Sequence, residues 1–382
     1  MTAPTKFTGL LLASGVNQGD PLSAVLEVLA PFSLTILSAE NVVVRDRFIY
    51  TLLVELSPDH VAPLSSDLDE VSAAGVIDIA YDFTAFALPP TEDLELYHST
   101  TVAASLSPAQ LVELHKVIAS GAKVSGQRVV IDGSFTVLHI DYLVVASGAH
   151  ALSKELRSKA RSLGLAITVN SMREARVGGE AILFDMDSTF INQEVIDEVA
   201  ILAGIGDEVS AITDRAMRGE LDFKTSLIER VRLLKGQPAD LLQRVQKKIT
   251  LTSGAKEFVE AAHAHGARVG IVSGGFHDVI DEILAPLDID LILANRFEIV
   301  DGILTGEVLG EIVDRDVKAQ TLASFGDGAS RRVAVGDGAN DIAMIQSADL
   351  GVAFCAKPAL QDVSGVVLNH RDLRALLPLL GY

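Results

Sequence analysis

The alternation of apolar and polar positions divides the chain into three segments. Apolar runs and helical patterns follow the order strand, helix, strand, strand, helix, strand over about 7–84, and the same order returns over about 94–172. Polar stretches rich in proline or glycine interrupt the pattern at 88–93 and 173–179, and such a composition is typical of linkers. We therefore predict three domains, at 1–88, 94–174 and 180–382.

The first two segments predict small α+β domains. A βαββαβ unit folds as a two-layer sandwich with an antiparallel sheet. The dipeptide Asp132-Gly133, between two β-rich runs, predicts a hairpin in the second unit. Residue identities barely repeat between the two units, so the repeat is one of pattern.

The third segment has a different pattern, in which helical stretches separate most of the short apolar runs. These runs lie at 181–184, 268–272, 291–294, 332–335, 350–353 and 365–368. The pattern is typical of a parallel sheet that is covered by helices on both faces. Between the first two runs, about 190–262 shows helical periodicity and almost no strand pattern. We therefore predict an α/β, Rossmann-like core with an inserted helical cap.

Charge and cysteine content exclude several classes of partner and site. The 31 basic and 51 acidic side chains give a formal net charge of −20, so we expect neither nucleic acid nor an anionic membrane as a partner. The single cysteine, Cys355, excludes an intramolecular disulfide and a cysteine-based zinc site.

No apolar run approaches the ~18 residues that span a bilayer, and no targeting pattern is present, so we expect a soluble cytoplasmic protein.

Polar residues follow three of the apolar runs in the third segment. They lie at 185–189, 273–275 and 336–341, and Lys318 stands near the start of a helix before the last of these strands. In open α/β sheets, ligands bind beyond the carboxyl ends of the strands. If the sheet forms as predicted, all of these groups converge on one edge.

The converged set has the composition of a metal-assisted phosphate site. It contains four carboxylates, those of Asp185, Asp187, Asp337 and Asp341. Carboxylates at such short distances repel one another unless a cation is present. Oxygen ligands without cysteine or histidine favour Mg²⁺ as that cation. The Ser273 hydroxyl, the backbone N–H groups and the Lys318 ammonium suit a phosphate. Together these groups predict phosphoryl transfer through an aspartyl phosphate.

Each of these pieces has a commoner explanation when it is taken alone. Asp-x-Asp is usually a turn or a helix N-cap, Ser-Gly-Gly is usually a turn, and a single lysine is usually on the surface. A calcium loop that begins at Asp185 is excluded, because Phe190 and Ile196 stand where glycine and glutamate are needed. The pieces indicate a site jointly, because each lies after a strand of one sheet or close to it.

At these residues the sequence resembles the haloacid dehalogenase superfamily of phosphatases. The four motifs of that superfamily correspond to Asp185-Met186-Asp187-Ser188-Thr189, to Ser273, to Lys318 and to Gly336-Asp337-Gly338-Ala339-Asn340-Asp341. Within the superfamily the chain resembles the branch that acts on O-phospho-L-serine. That branch adds four residues in the helical insertion, which here are Glu194, Met217, Phe223 and Arg230.

The resemblance implies a role for each matching residue. It implies that Asp185 is the nucleophile and Asp187 the general acid and base. Mg²⁺ would be held by Asp185, the Asp187 backbone carbonyl and Asp337, with Asp341 in the outer shell. The implied substrate-binding residues are Glu194, Met217, Phe223, Arg230, Ser273, Gly274, Lys318 and Asn340. The implied reaction is the hydrolysis of O-phospho-L-serine to L-serine and phosphate, the last step of L-serine biosynthesis.

The first two segments resemble ACT domains, which are regulatory modules that bind amino acids. This resemblance implies a homodimer and an L-serine effector, for which the loop at 15–21 is the candidate site. The alternative is that the two units only dimerise. Two other functions also stay open: a different small-metabolite phosphatase or phosphotransferase of the same superfamily, and an amino-acid sensor with a vestigial phosphatase domain.

Overall fold

The computed structural model describes residues 7–17, 21–75, 77–84, 94–171, 179–218 and 220–382. The chain divides into two units, Met1–Glu92 and Asp93–Tyr382. The predicted linkers at 88–93 and 173–179 lie outside the described residues, apart from Gly179, and so does part of the loop at 15–21. The boundaries of the three predicted domains therefore stay a prediction.

The described residues of the first unit form one antiparallel sheet and two helices. Its elements are β1 (Phe7–Val16), α1 (Pro21–Leu29), β2 (Leu34–Val44), β3 (Arg47–Leu56), α2 (Pro58–Ala73) and β4 (Ile77–Thr84). The strand order is β2-β3-β1-β4. Side chains of β3 are buried at every second position, as expected of a strand with one face in the core, and they share an apolar cluster with Leu64 and Leu68 of α2.

The second unit begins with the same arrangement. Its first elements are β5 (Leu94–Ala103), α3 (Pro108–Ala119), β6 (Ala122–Asp132), β7 (Phe135–Val145), α4 (Ala149–Ser162) and β8 (Ala166–Ser171). The strand order β6-β7-β5-β8 repeats that of the first sheet. Gly133 and Ser134 join β6 to β7, and Gly133 has a φ of 58°, which suits a two-residue hairpin turn.

The rest of the second unit is an α/β core with an inserted group of helices. Its elements are β9 (Ala181–Asp185), α5 (Val195–Ala203), α6 (Gly206–Met217), α7 (Phe223–Arg232), α8 (Asp240–Gln246), α9 (Ala255–Ala264), β10 (Arg268–Phe276), α10 (His277–Leu284), β11 (Leu291–Val300), β12 (Ile303–Leu309), α11 (Arg315–Phe325), β13 (Arg332–Gly336), α12 (Ile342–Ser347), β14 (Leu350–Phe354), α13 (Pro358–Gln361), β15 (Val366–Leu368) and α14 (Leu376–Leu380). The strand order is β12-β11-β10-β9-β13-β14-β15. All neighbouring pairs are parallel except β11 with β12. The predicted fold class is confirmed.

Two features of this core were not predicted. The strand β12 is partly exposed at the edge of the sheet and contains Gly306, so it has no continuous apolar run that would indicate a strand. The helix α9, most of which lies within the range predicted for the cap, packs against β10 and α14. The helices α5 to α8 form the inserted segment between β9 and α9.

The second antiparallel sheet and the α/β core share one apolar cluster. Val102, Val137 and Ala166, on strands β5, β7 and β8, are buried in the same cluster as Leu376 and Leu379 of α14. Polar contacts extend this junction, since the Arg161 guanidinium donates to the backbone carbonyl of Ser364. The two parts of the second unit are therefore joined by buried side chains as well as by the chain.

Candidate active site

Three loops that follow neighbouring strands meet at one edge of the seven-stranded sheet. Asp185 is the last residue of β9, the segment 273–275 lies near the end of β10, and the segment 336–341 begins at the end of β13. The strands β10, β9 and β13 are adjacent and parallel, so their carboxyl ends lie side by side. The structure thus brings together the loops that the sequence analysis placed at this edge.

Lys318 enters the site from the first turn of α11 and is fully buried. Its Nζ donates to Oδ1 of Asp185 at 2.6 Å and to Oδ1 of Asp341 at 2.7 Å. Burial alone would lower the pKa of Lys318, but the two carboxylates outweigh burial and raise it above its ordinary value. Lys318 is therefore a fixed positive charge at the bottom of the site.

Three carboxylates stand close together around this lysine. Ligand oxygens of Asp185, Asp337 and Asp341 all lie within 4.8 Å of one another, and all three residues are buried. Burial and the charge of Asp341 raise the pKa of Asp337 to about 6. Burial and the same charge also hold the pKa of Asp185 well above its ordinary value, although Lys318 opposes this. Three acids around one base leave excess negative charge, which a divalent cation bound by carboxylate oxygens would offset.

Asp187 differs from Asp185 in its surroundings. Its Oδ1 is buried and has no hydrogen-bond partner among the described residues. Burial, followed by the charges of Glu194 and Asp185, holds the pKa of Asp187 well above its ordinary value. Glycine at position 275 leaves the necessary space, because a Cβ there would lie 3.0 Å from Oδ2 of Asp187. A buried carboxyl group with an unpaired oxygen is suited to hold and release a proton.

The loop after β10 is arranged around the hydroxyl of Ser273. This residue is fully buried, and its Oγ accepts a hydrogen bond from the Gly275 N–H at 2.7 Å. Because the oxygen accepts this bond, the hydroxyl hydrogen points elsewhere and can be donated to an anion. Gly274 has no room for a side chain, since a Cβ there would lie 2.7 Å from the ring of Phe223.

The site opens into a cavity of about 870 Å³ between the sheet edge and the inserted helices. The predicted site residues that line it are Asp185, Asp187, Glu194, Phe223, Arg230, Gly274, Asp337 and Asn340. Ser273, Lys318 and Asp341 are fully buried beside them. The side chain of Met217 lies outside the described residues. Apart from Met217, the structure places every predicted residue in or next to one cavity.

The chain resembles known proteins along almost its whole length. The family model described as haloacid dehalogenase-like hydrolase matches residues 182–346, and that described as ACT domain matches residues 10–81. Phosphoserine phosphatase SerB2 of Mycobacterium tuberculosis is 37% identical over 99% of this chain and 94% of that protein. The chain belongs to the phosphoserine phosphatase family.

Two further members show how far the likeness extends. Phosphoserine phosphatase of Streptomyces coelicolor is 35% identical over 98% of this chain and 92% of that protein. A solved structure, described as a phospho-aspartyl intermediate analogue of phosphoserine phosphatase, is 43% identical with a TM-score of 0.50. It covers 53% of this chain and 98% of its own. Members of the phosphoserine phosphatase family therefore share with this chain the part that carries the cavity.

Glu194 and Arg230 supply opposite charges to the cavity of this phosphoserine phosphatase family member. Glu194 precedes α5 and accepts a hydrogen bond from the Ser188 hydroxyl at 2.8 Å. Arg230 lies on α7, where its Nε donates to the Ser226 carbonyl at 3.3 Å. Burial lowers the pKa of Arg230, whereas the charges of Asp197 and Glu194 act in the opposite direction. The guanidinium stays charged and can bind a carboxylate.

The residues near the site that the sequence analysis missed include Lys357 and Asp197. Lys357 follows β14 and lines the cavity, and its backbone N–H donates to the Asp337 carbonyl at 2.9 Å. Asp197 lies on α5, where burial and the charge of Glu194 raise its pKa. Glu194 directly precedes α5 and Asp197 lies in its first turn, so the predicted start of that helix could have indicated that the two carboxylates lie close together. Lys357 stands a few residues beyond an apolar run, so a wider search after each strand could have included it.

Proposed function

We propose that the protein hydrolyses O-phospho-L-serine to L-serine and phosphate through an aspartyl-phosphate intermediate, with Mg²⁺ as its cofactor. The observation that carries this proposal is the difference between two carboxyl groups in one loop. Asp185 contacts a buried lysine, whereas Asp187 has a buried and unpaired oxygen. The first suits a nucleophile and the second a proton donor. The related structure of a phospho-aspartyl intermediate analogue supports the same chemistry.

Asp185 attacks the phosphorus atom of the substrate. The hydrogen bonds to its carboxylate from Lys318 Nζ and the Met186 N–H both meet Oδ1, so Oδ2 is the attacking oxygen. A bond forms between Oδ2 and phosphorus while the bond from phosphorus to the serine oxygen breaks. Asp187 donates its proton to that oxygen, so L-serine leaves with a neutral hydroxyl.

Water then attacks the phosphorus of the aspartyl phosphate. Asp187 is now a carboxylate, and it accepts the proton that the water releases. The bond between phosphorus and Asp185 breaks, which frees phosphate and restores both carboxyl groups. In both steps the Ser273 hydroxyl, the Gly274 N–H and the Lys318 ammonium bind the phosphoryl oxygens, and Asn340, in the loop at 336–341, lines the same cavity.

The carboxylates around Lys318 have the composition of a Mg²⁺ site. Asp185, Asp337 and the Asp187 backbone carbonyl would hold the ion. Asp341 would stay in the outer shell, because Lys318 and the Gly338 N–H already hold its two oxygens. When bound, Mg²⁺ offsets the repulsion between the nucleophile and the negatively charged phosphate.

Mg²⁺ is expected to raise the melting temperature more at about pH 7.5 than at about pH 5. The pKa of Asp337 is raised to about 6, so at the lower pH the carboxyl group of Asp337 carries a proton in most of the protein molecules. That proton must leave before the carboxylate can bind the ion. About one unit below the pKa, displacing one proton weakens binding about tenfold. Dye-based thermal melts with and without Mg²⁺ at both pH values measure the effect. Asp337→Asn should lose the shift at both, and equal wild-type shifts would contradict the assignment.

Glu194 and Arg230 are proposed to recognise the serine part of the substrate. Phosphoserine offers an ammonium group and a carboxylate in addition to its phosphate. Glu194 can pair with the ammonium, and the planar guanidinium of Arg230 can donate two parallel hydrogen bonds to the carboxylate. Phe223, against Gly274, gives the apolar wall that excludes water, and Met217 is proposed to extend it.

Arg230→Lys is expected to lower kcat/KM for O-phospho-L-serine by about 10- to 100-fold, although the positive charge is kept. A lysine ammonium cannot reproduce the paired hydrogen bonds of a guanidinium. Phosphoethanolamine lacks the carboxylate, so its kcat/KM should change little in the same variant. Arg232→Lys, exposed on the same helix, is the matched control. If Arg230→Lys retains its kcat/KM for phosphoserine, Arg230 does not bind the carboxylate.

Release of phosphate from O-phospho-L-serine in the presence of Mg²⁺ is the experiment that tests the proposed function. A clear preference for another ester in a substrate panel would indicate a different small-metabolite phosphatase. A new phosphate ester formed with an added alcohol would indicate a phosphotransferase. Failure to release phosphate from any ester would leave amino-acid sensing, with a vestigial phosphatase domain, as the better function.

We further propose that the two antiparallel-sheet domains assemble a homodimer and bind L-serine as an effector. The match of residues 10–81 to the ACT domain model supports this. An effector changes activity only if its affinity differs between two states of the enzyme. Sedimentation of the full chain and titration of its activity with L-serine test the two parts separately. Purely competitive inhibition would leave these domains as assembly modules.

The proposed reaction also suggests a place in metabolism. The family resemblance implies that this reaction, which releases L-serine from its phosphate ester, is the last step of L-serine biosynthesis. A cytoplasmic location remains a prediction of the sequence. None of the helices in the described ranges is long and apolar enough to cross a membrane.

A further inference from the structure

The strand β10 breaks its pairing with β11 where it reaches the cavity. Val272 pairs with Leu293, and pairing resumes at Phe276 with Asn295. Three residues of β10, at 273–275, therefore stand opposite one residue of β11. Such a bulge leaves backbone groups without ladder partners and bends the strand. Here the bulged segment is the loop that carries Ser273 and Gly274.

Side chains replace part of the missing ladder. His277 Nε2 accepts a hydrogen bond from the Ala294 N–H at 3.0 Å, and Asp278 Oδ2 accepts one from the Phe297 N–H at 2.9 Å. Asn295 acts on the bulge itself, since its Nδ2 donates to the Gly274 carbonyl at 2.8 Å. These contacts satisfy backbone groups that a regular strand pair would satisfy by itself.

The peptide plane between Gly274 and Gly275 is held from both sides. Its carbonyl accepts from Asn295, and its N–H donates to Ser273 Oγ at 2.7 Å. Two consecutive glycines leave this segment with more conformational freedom than any other residue pair would. The N–H side of this peptide plane contacts the Ser273 oxygen, and the carbonyl side is held by the Asn295 amide. The orientation of the Ser273 hydroxyl therefore depends on Asn295.

Asn295 also reaches the helix that carries the buried lysine. Its Oδ1 accepts a hydrogen bond from the Val313 N–H at 2.9 Å. Val313 directly precedes Asp314, which caps the N-terminus of α11 through the N–H groups of residues 316 and 317. Lys318 lies in the first turn of that helix. One fully buried amide, 1% exposed, thus connects the Ser273 loop with the start of the Lys318 helix.

We propose that Asn295 is a positioning residue for phosphate binding. It acts through the peptide between Gly274 and Gly275, which it holds so that the Ser273 hydroxyl and the Gly274 N–H meet the phosphoryl oxygens. Through Val313 it also fixes the distance between that loop and Lys318. This inference rests on the proposed roles of Ser273, Gly274 and Lys318.

Asn295→Asp tests the proposal with almost no change in volume. The carboxylate can still accept from the Val313 N–H, but it replaces the donor to the Gly274 carbonyl with a repelling oxygen. Loss of a buried hydrogen bond of this kind predicts about tenfold weaker binding of inorganic phosphate. The dissociation constant is measured calorimetrically on the full chain with Mg²⁺, and KM for phosphoserine should rise with it.

Asp278→Ala is the matched control, because it removes a neighbouring hydrogen bond to β11 that does not involve the phosphate loop. It should lower the melting temperature and leave the phosphate dissociation constant within about twofold of wild type. If Asn295→Asp does not fold, Asn295→Ser gives the same comparison without adding a charge. Either Asn295 variant with wild-type phosphate affinity, whatever its melting temperature, overturns the proposal and leaves Asn295 with a purely structural role.

A second comparison shows whether Asn295 acts through Ser273. In a Ser273→Ala background, Asn295→Asp should weaken phosphate binding much less than it does in the wild type. Equal losses in the two backgrounds would contradict the proposed action of Asn295 through the Ser273 hydroxyl. Wild-type protein that binds phosphate but does not hydrolyse phosphoserine would refute the proposed function alone, and the phosphate measurements would still decide the role of Asn295.

Discussion

Asp185→Asn is expected to lower phosphate release from O-phospho-L-serine by at least about 10⁴-fold while the fold stays intact. A neutral amide is a poor nucleophile, so the aspartyl phosphate does not form. The amide oxygen can still accept hydrogen bonds from Lys318 Nζ and the Met186 N–H, which preserves the geometry of the site. Phosphate release and the melting temperature, measured on both proteins, check the two parts of this expectation.

The melting temperature separates loss of the nucleophile from loss of the fold. The raised pKa of Asp185 means that burial and the neighbouring carboxylates disfavour its charged form. At neutral pH without Mg²⁺ the charged group therefore costs stability, and a neutral amide should melt at the same temperature as wild type or higher. Asp327→Asn, exposed beyond α11, should change neither quantity. An Asp185→Asn protein that keeps most of its turnover would rule out the aspartyl-phosphate mechanism.

Asp187→Asn is expected to lower turnover of phosphoserine by about 10²- to 10⁴-fold, because the leaving oxygen and the attacking water both lose their partner for proton transfer. A better leaving group distinguishes the two steps. With p-nitrophenyl phosphate the departing phenolate needs no proton, so the first step should stay fast in the variant. Rapid mixing should then show a burst of about one nitrophenolate per active site, followed by slow turnover as the aspartyl phosphate accumulates.

The size of that burst is the measurement that decides the role of Asp187. Asp185→Asn is the control and should show no burst, because no covalent intermediate can form. If Asp187→Asn loses the burst as well, its carboxyl group is needed for binding or for geometry rather than for the proton of the leaving group. Mg²⁺ affinity, measured in parallel, excludes loss of the ion as the cause.

The convergence of the site could be predicted from the sequence because its members stand directly after apolar runs. Asp185 ends β9, Ser273 lies near the end of β10 and Asp337 directly follows β13, and the carboxyl ends of parallel strands meet at one edge. That inference depends only on local pattern and on the general geometry of parallel sheets. Lys357 stands a few residues beyond β14, so a search limited to the residues directly after each apolar run missed it.

The role proposed for Asn295 could not be predicted from the sequence for a physical reason. Its contact with the Gly274 carbonyl lies where β10 and β11 shift register at residues 273–275, and a register shift depends on how two distant segments meet. In the same way, the sequence patterns of the two βαββαβ units look equivalent. Only the packed structure shows that Val137 of the second βαββαβ unit is buried in one apolar cluster with residues of α14, which joins that βαββαβ unit to the α/β core.

The apolar cluster that joins the second antiparallel sheet to α14 has a consequence for how this protein unfolds. Side chains such as Val102 and Val137 contribute to the stability of a cluster that also contains α/β core residues, so the two parts should unfold as one cooperative transition. Truncating one of these valines to alanine lowers the free energy of unfolding by roughly 1–3 kcal/mol, and part of this decrease affects the α/β core. A substitution in this sheet therefore lowers the stability of the α/β core as well. Reduced activity after such a substitution has to be compared with the loss of stability before it is attributed to an effector.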